Sequence, residues 1–172
     1  MIRLLGYEMS SIALGLGSNI GDSISLCRRA VKELEKIAEI QILRNSAWYE
    51  TRPVGFANQP NFINGAILLE TDLPPLELLY VLKGIEEDFG RSNTRQNGPR
   101  EIDLDLLLYD NIVLNLPNLT IPHPAMADRA FVLVPLVEIH PMLIHPVSGR
   151  TVSDLLEDLG QVEHLVNYKS EP

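Results

Sequence analysis

Apolar positions along the chain follow two patterns, which predict strands and helices in alternation. Short apolar runs bounded by glycine, proline or asparagine are typical of buried strands, and apolar residues that recur every three to four positions are typical of amphipathic helices. One helix is predicted to begin at Asp22 or Ser23, and a second is predicted to begin at Pro74 and end at Gly90. The predicted strands are residues 11–16, 40–48, 61–69 and 102–109, and the predicted loops are residues 51–60 and 91–101.

The order of these elements predicts the fold class. Strand, helix, strand, strand, helix, strand is the split βαβ order, so we expect an α+β fold. More narrowly, we expect a ferredoxin-like sandwich, in which an antiparallel sheet with a βαββαβ core carries both helices on one face. A short strand at 112–116 and helices at about 129–139 and 153–159 are predicted as C-terminal additions. The other face of the sheet then needs a cover or a ligand, and residues 1–172 are expected to form a single domain because they contain no repeat or long linker.

Composition narrows the class of partner. Fourteen Lys and Arg residues against 23 Asp and Glu residues give a net charge of −9, which argues against nucleic acid and anionic membranes as partners. A small anionic ligand in a local basic pocket stays compatible with this charge. The one cysteine, Cys27, indicates a reducing compartment. Since neither a signal peptide nor an apolar run of membrane-spanning length is evident, we expect a cytoplasmic protein. We also expect a monomer, although no sequence feature determines the oligomeric state.

Asp103 and Asp105 are the strongest chemical signal in the chain. Residues two apart on a strand point the same way, with Cα atoms about 6.6 Å apart. Two carboxylates at that spacing can converge on a hard cation such as Mg²⁺, which also bridges to substrate phosphates. A solvated strand face is the alternative, but the polar, arginine-rich loop directly before this strand favours the metal site.

That loop carries Arg91, Arg95 and Arg100 against a single acid, Glu101. Guanidinium groups bind phosphate oxygens as a bidentate fork, although arginines in a polar loop are often only solvated. Beside two candidate metal carboxylates, they indicate a polyphosphate neutralised by Mg²⁺ on one side and by arginine on the other.

The stretch G-L-G-S-N-I-G-D at residues 15–22 matches neither familiar phosphate-binding motif. A dinucleotide fingerprint needs glycine where Ile20 stands, and a Walker A loop needs Gly-Lys-Ser/Thr where Gly21 is followed by Asp22. We therefore interpret Gly15 and Gly17 as positions of close backbone or ligand approach, and Gly21 as a turn residue.

Four other residues have both a functional and a structural interpretation. His123 lies between prolines in I-P-H-P, which restrict its backbone, yet a lone histidine is more often structural. Phe62 and Phe131 could enclose a planar heterocycle while Asn64 binds its edge, or both rings could belong to the core.

Together these stretches resemble the 6-hydroxymethyl-7,8-dihydropterin pyrophosphokinases of folate biosynthesis. The resemblance spans about residues 12–146, and its most specific part is G-P-R-x-I-D-L-D followed by P-H-P. The matching stretches are A-L-G-L-G-S-N-I-G-D (13–22), E-T-R-P-V-G (50–55), Q-P-N-F-I-N (59–64), I-E (85–86), F-G-R (89–91), G-P-R-E-I-D-L-D-L-L-L-Y (98–109), I-P-H-P (121–124) and R-A-F-V-L-V-P-L (129–136).

The resemblance implies a role for each matching residue. Asp103 and Asp105 would hold two Mg²⁺ ions and, with Arg91 and Arg100, form the catalytic set. The residues expected to contact ATP are these two arginines together with Glu86, Arg95, Leu106, Thr120, His123 and Arg129. The residues expected to bind the pterin are Thr51, Val54, Phe62, Asn64 and Phe131. The chain departs from part of the family at Lys83, Asn97 and Pro124.

The implied reaction is transfer of pyrophosphate from ATP to the hydroxymethyl group of the pterin, with release of AMP. Two alternatives stay open at this point. One is a non-catalytic ferredoxin-like module that binds a ligand or regulates a partner, and the other is an ordinary kinase that acts at the γ-phosphate.

Overall fold

The computed structural model describes residues 9–53, 58–90, 98–160 and 165–168. Strands and helices within these ranges alternate much as the apolar pattern predicts. The strands are β1 (Ser10–Ser18), β2 (Ile40–Asn45), β3 (Trp48–Thr51), β4 (Phe62–Thr71), β5 (Asp103–Tyr109), β6 (Leu114–Leu116), β7 (Leu119–Ile121) and β8 (Leu165–Tyr168). The helices are α1 (Ser23–Glu35), α2 (Pro75–Asp88), α3 (Ala130–Ile139) and α4 (Val152–Asp158), with a 3-10 turn at Met126–Asp128 before α3.

The main sheet is antiparallel, with the strand order β5-β1-β4-β3-β8, and β2 also pairs with β4. Strands β6 and β7 form a separate two-stranded ribbon. The prediction of an α+β fold built on an antiparallel sheet is therefore confirmed. At one end of the sheet β1 and β3 finish while β4 and β5 begin, so four chain segments meet there.

The sheet separates two apolar cores. On one face, Leu14 and Leu16 pack with residues of α1 and α2, such as Leu34 and Leu82. On the opposite face, Ala13, Ala66 and Leu107 pack with residues of α3 and α4. Helix α3 covers only part of this second face, and the uncovered part lies at the end where the four segments meet.

The helix boundaries follow local chemistry. Gly21 adopts a φ of +68°, and the Asp22 carboxylate then accepts a hydrogen bond from the Ser25 N–H (3.2 Å), which begins α1. Helix α2 has Pro75 in its first turn, as predicted, and Gly90 follows its end with a φ of +88°. Helix α4 begins with a capping box between Thr151 and Asp154.

The predicted strand at 40–48 is wrong in one respect, because it is two strands separated at Ser46. Both the N–H and the hydroxyl of Ser46 bond to the backbone of Ala66, at 2.9 Å each, and the chain then turns into β3. Trp48 packs over Gly65, where a Cβ atom would lie 2.6 Å from the indole ring. Strands β7 and β8 were not predicted, since three or four residues give too short an apolar pattern to identify.

Candidate functional site

An open cleft lies on the uncovered part of the α3 face. Its lining brings together residues from four strands, the start of α3 and the segment before β5. Eight of the sequence-predicted site residues line it: Thr51, Phe62, Asn64, Arg100, Asp103, Asp105, Arg129 and Phe131.

Strand register places the polar residues of the cleft in a row across the sheet. Gly17 of β1 pairs with Asp103 on one side and with Asn64 on the other, and Gly15 pairs with Asp105. Since neighbouring strands lie about 4.8 Å apart, the backbones of Asp103 and Asn64 are about 10 Å apart across Gly17. A Cβ atom on Gly17 would lie 3.0 Å from Asn64 Oδ1, so glycine keeps the floor of the cleft clear between the carboxylates and the amide.

The two carboxylates repel each other. Burial, followed by the charges of Asp103 and Glu86, raises the pKa of Asp105 to about 7, while Arg100 and Arg129 oppose the shift. Arg100 Nη1 forms an ion pair with Asp103 Oδ2. A cation bound between Asp103 and Asp105 would relieve this repulsion, and oxygen donors suit a hard ion such as Mg²⁺. Among the described residues no cluster of three or more His, Cys, Asp or Glu side chains could hold a metal.

Glu86 is bonded to the backbone of β5 on the face opposite the two aspartates. It is 5% exposed, and its Oε1 accepts a hydrogen bond from the Leu104 N–H (2.8 Å), at the residue between the two aspartates. Leu106 packs in the core with α1 and α2, because alternate residues of β5 point to opposite faces. The resemblance implied ATP contacts for Glu86 and Leu106, but the structure brings neither side chain into the lining of the cleft. Thr120 is also outside that lining, and its hydroxyl lies 3.4 Å from Asn115 Oδ1 in the ribbon.

His123 is held beside β5 by its backbone. Its N–H donates to the Leu107 carbonyl (2.9 Å), and its Nδ1 accepts from the Ala125 N–H (3.2 Å). Burial, followed by the charge of Arg129, lowers the pKa of His123 from its ordinary value, although Asp103 opposes the shift. The imidazole is therefore neutral at pH 7, and because Nδ1 accepts, Nε2 carries the proton and can donate.

At the other end of the cleft, Asn64 is 7% exposed and its Nδ2 donates to Thr51 Oγ1 (2.7 Å). Phe62 is half-buried and belongs to neither apolar core, while Phe131 packs against the edge of the second core. The Arg129 guanidinium lies over the Phe131 ring, 5.6 Å from its centroid. Two rings, an amide and a hydroxyl thus border the same space.

Two residues of this region were missed by sequence reasoning. Asn19 is 3% exposed and joins two segments, since its Oδ1 accepts from the Arg100 N–H (2.9 Å) and its Nδ2 donates to the Pro60 carbonyl (3.1 Å). Its burial and its partners appear only when the strands are placed side by side, so no sequence signal identified it. Arg52 is exposed and lines the cleft beside Thr51, and its position in a loop-like stretch gave no signal.

Some predictions lie outside the described residues. Arg91, Arg95 and Val54 fall there, as does the departure at Asn97, so their assignments stay predictions. Across the ranges that are described, no helix is long and apolar enough to cross a membrane.

Comparison with known proteins gives concordant matches. Residues 13–141 match the model of the family 7,8-dihydro-6-hydroxymethylpterin-pyrophosphokinase. A 2-amino-4-hydroxy-6-hydroxymethyldihydropteridine pyrophosphokinase from Synechocystis is 45% identical over 85% of this chain and 74% of its own length. The enzyme of the same name from Aquifex aeolicus is 44% identical over 85% of this chain and 90% of its own.

The fold is also found among solved structures. The wild-type HPPK-DHPS of Plasmodium falciparum superposes with a TM-score of 0.69 at 17% identity. The match covers 88% of this chain and 45% of that one, so this chain corresponds to somewhat less than half of the Plasmodium protein.

Proposed function

The chain belongs to the 7,8-dihydro-6-hydroxymethylpterin-pyrophosphokinase family, and on that premise we propose how its cleft carries out the reaction. The enzyme is an ATP-dependent pyrophosphokinase of folate biosynthesis. It moves the terminal pyrophosphoryl group of ATP to the hydroxymethyl oxygen of the pterin and releases AMP. One observation carries the proposal: Asp103, Gly17 and Asn64 form a continuous row that can place a planar substrate beside a metal-bound polyphosphate.

The pterin is proposed to lie over the bare floor at Gly17, with its ring between Phe62 and Phe131. Offset or enclosing contacts between aromatic faces stabilise such a ring, and Asn64 offers an amide to its edge. Because Asn64 Nδ2 already donates to Thr51 Oγ1, its Oδ1 is the atom directed to the floor and can accept from the ring. Thr51 then fixes the orientation of the amide.

The phosphates of ATP are proposed to lie at the β5 end of the cleft. Arg100 and Arg129 line this region, and neutral His123 can donate from Nε2. Guanidinium groups suit phosphate oxygens because two N–H groups donate in parallel. Arg91 and Arg95 complete the proposed set, by their place in the sequence alone.

Asp103 and Asp105 are proposed to hold Mg²⁺, because a cation bound between them would offset the repulsion that helps to raise the pKa of Asp105. When bound, the ion supplies charge neutralisation at the polyphosphate and at the oxygen that leaves with AMP. Arg100, which pairs with Asp103 in this structure, is then available to the phosphates.

In the proposed reaction the hydroxymethyl oxygen forms a bond to the β-phosphorus while the bond from that phosphorus to the AMP oxygen breaks, and the hydroxyl proton is released to solvent. The row across the sheet positions the two reactants in one orientation, and positioning with electrostatic stabilisation accounts for most of the rate enhancement in phosphoryl transfer. Arg100, Arg129 and His123 provide donors where negative charge accumulates.

Several finer parts of the proposal stay predictions. The strand order β5-β1-β4-β2/β3 with α1 and α2 on one face supports the ferredoxin-like sandwich. The number of Mg²⁺ ions is proposed to be two, because the metals must reach phosphates on both sides of the bond that breaks. We further propose that residues 1–172 are one domain that acts as a monomer in the cytoplasm.

The test is one incubation with ATP, Mg²⁺ and 6-hydroxymethyl-7,8-dihydropterin, followed by separation of the nucleotides. AMP formed in proportion to the pyrophosphorylated pterin is the expected result. ADP would indicate a γ-phosphate kinase, and no nucleotide turnover would favour the non-catalytic module. Asp105→Ala should lower turnover by at least about 100-fold, whereas Asp72→Ala, an exposed aspartate beyond the far end of β4, should leave it unchanged.

A further inference from the structure

The C-terminal end of helix α3 is hydrogen-bonded to the sheet through residues that the proposed reaction does not use. The carboxylate of Glu138 accepts the Ala47 N–H, 3.0 Å from each oxygen, and its Oε2 also accepts the Tyr49 hydroxyl at 2.7 Å. Beside them, Arg44 Nη1 donates to the carbonyl of Ile139, the last residue of α3, at 2.7 Å. These contacts join residues about ninety positions apart in the sequence.

Helix α3 and strand β3, which these hydrogen bonds join, each carry a residue that lines the cleft. Phe131 lies seven residues before Glu138 on α3, a distance of about 10 Å along the helix axis. Thr51 lies two residues after Tyr49 on β3, about 7 Å along the strand. The attachment at Glu138 thus joins the two elements that carry Phe131 and Thr51, which border the proposed pterin position.

The attachment is chemically specific. Tyr49 is 8% exposed, and burial together with the bonded carboxylate of Glu138 raises the pKa of its hydroxyl to about 12, so it stays a donor. Ala47 lies at the junction between β2 and β3, where its N–H bonds to a side chain. If the carboxylate is removed, the buried Tyr49 hydroxyl and the Ala47 N–H both lose their acceptor.

We propose that Glu138 is a positioning residue that sets the width of the pterin site by holding α3 against β3. This inference rests on the pterin position proposed above. Of the groups proposed to bind ATP, Arg100 lies just before β5 and His123 is bonded to the backbone of β5, and only Arg129 lies at the start of α3. Loss of the attachment therefore affects pterin more than ATP.

The test compares steady-state kinetics for both substrates in four variants. Glu138→Ala should raise the KM for the pterin about tenfold, with the KM for ATP and kcat each changed by less than threefold. Glu138→Gln should restore the pterin KM to within threefold of wild type, because the amide oxygen can accept from Ala47 and the NH2 can donate to the Tyr49 oxygen. Tyr49→Phe, which removes one of the bonds, should raise the pterin KM about threefold.

Glu157→Ala is the matched control, since it removes an exposed glutamate from α4 on the same face of the sheet and should match wild type. An unchanged pterin KM in Glu138→Ala, or equal increases in both KM values, overturns the inference. If Glu138→Ala shows no cooperative melt, Tyr49→Phe decides, and an unchanged pterin KM there overturns it. Absence of AMP formation by the wild type would reject the proposed function itself, and the inference with it.

Discussion

Replacing Asp105 by asparagine should stabilise the metal-free enzyme while abolishing its activity. The pKa of Asp105 is raised to about 7 from 3.8, chiefly by burial and by the charge of Asp103. The pKa of Asp105 is higher in the folded state than in the unfolded state. The free energy of unfolding therefore falls as the pH rises from about 4 to 7 and this carboxyl group ionises. A difference of about three units corresponds to about 4 kcal/mol of free energy of unfolding at pH 8. Asparagine has nearly the shape of the aspartic acid side chain without its charge. Asp105→Asn should therefore raise the free energy of unfolding at pH 8 by about 2 to 4 kcal/mol.

The assay is thermal and urea unfolding in EDTA at pH 8 and at pH 4. For a chain of this length, the gain at pH 8 corresponds to an increase in Tm of about 5 to 15 °C. At pH 4 the gain should nearly vanish, because the Asp105 carboxyl is then protonated in the folded wild type.

Asp103→Asn is the matched control for this prediction. It also removes one carboxylate from the pair, but it leaves the half-buried Arg100 without its ion pair, so its gain should be smaller or absent. Both variants should lose turnover. An Asp105→Asn protein no more stable than wild type at pH 8, or one with the same gain at both pH values, would refute the reasoning.

Three further results are expected. Gly17→Ala places a methyl group 3.0 Å from Asn64 Oδ1, so the pterin KM should rise several-fold. Gly84→Ala, at an exposed position of α2 where a Cβ atom meets nothing within 4 Å, should leave that KM unchanged in the same assay. Asn19→Ala loses buried hydrogen bonds to two segments, so urea unfolding should show a loss of about 2 kcal/mol, and a loss below 0.5 kcal/mol would argue against its linking role. Millimolar Mg²⁺ should raise the wild-type Tm and restore the turnover removed by EDTA, and equal Tm values with and without Mg²⁺ would contradict a metal site at the carboxylate pair.

The elements and the carboxylate pair could be predicted because they depend on local patterns. The alternation of Asp103 and Asp105 with leucines fixes which face of β5 they share, and glycines at Gly15 and Gly17 already indicated close approach. The break at Ser46 could not be predicted, since it depends on hydrogen bonds to Ala66, twenty residues away.

Residues that act through distant partners also escaped prediction. Asn19 bonds to Arg100 across 81 positions, and Glu138 bonds to Ala47 across 91. Neither partner is evident until the strands are placed side by side. Glu86 is the opposite case. The resemblance identified this residue, but only the structure shows that its carboxylate accepts a hydrogen bond from the backbone of β5.

The carboxylate pair lies on β5, the strand at the margin of the sheet, and this has a consequence for self-association. A marginal strand offers free backbone groups to any second strand, which makes it a starting point for aggregation. Here the Leu104 N–H is taken by Glu86 and the Leu107 carbonyl by the His123 N–H. Two backbone groups on the open side of β5 are therefore already bonded within the chain, so fewer of them are left for a second strand to pair with.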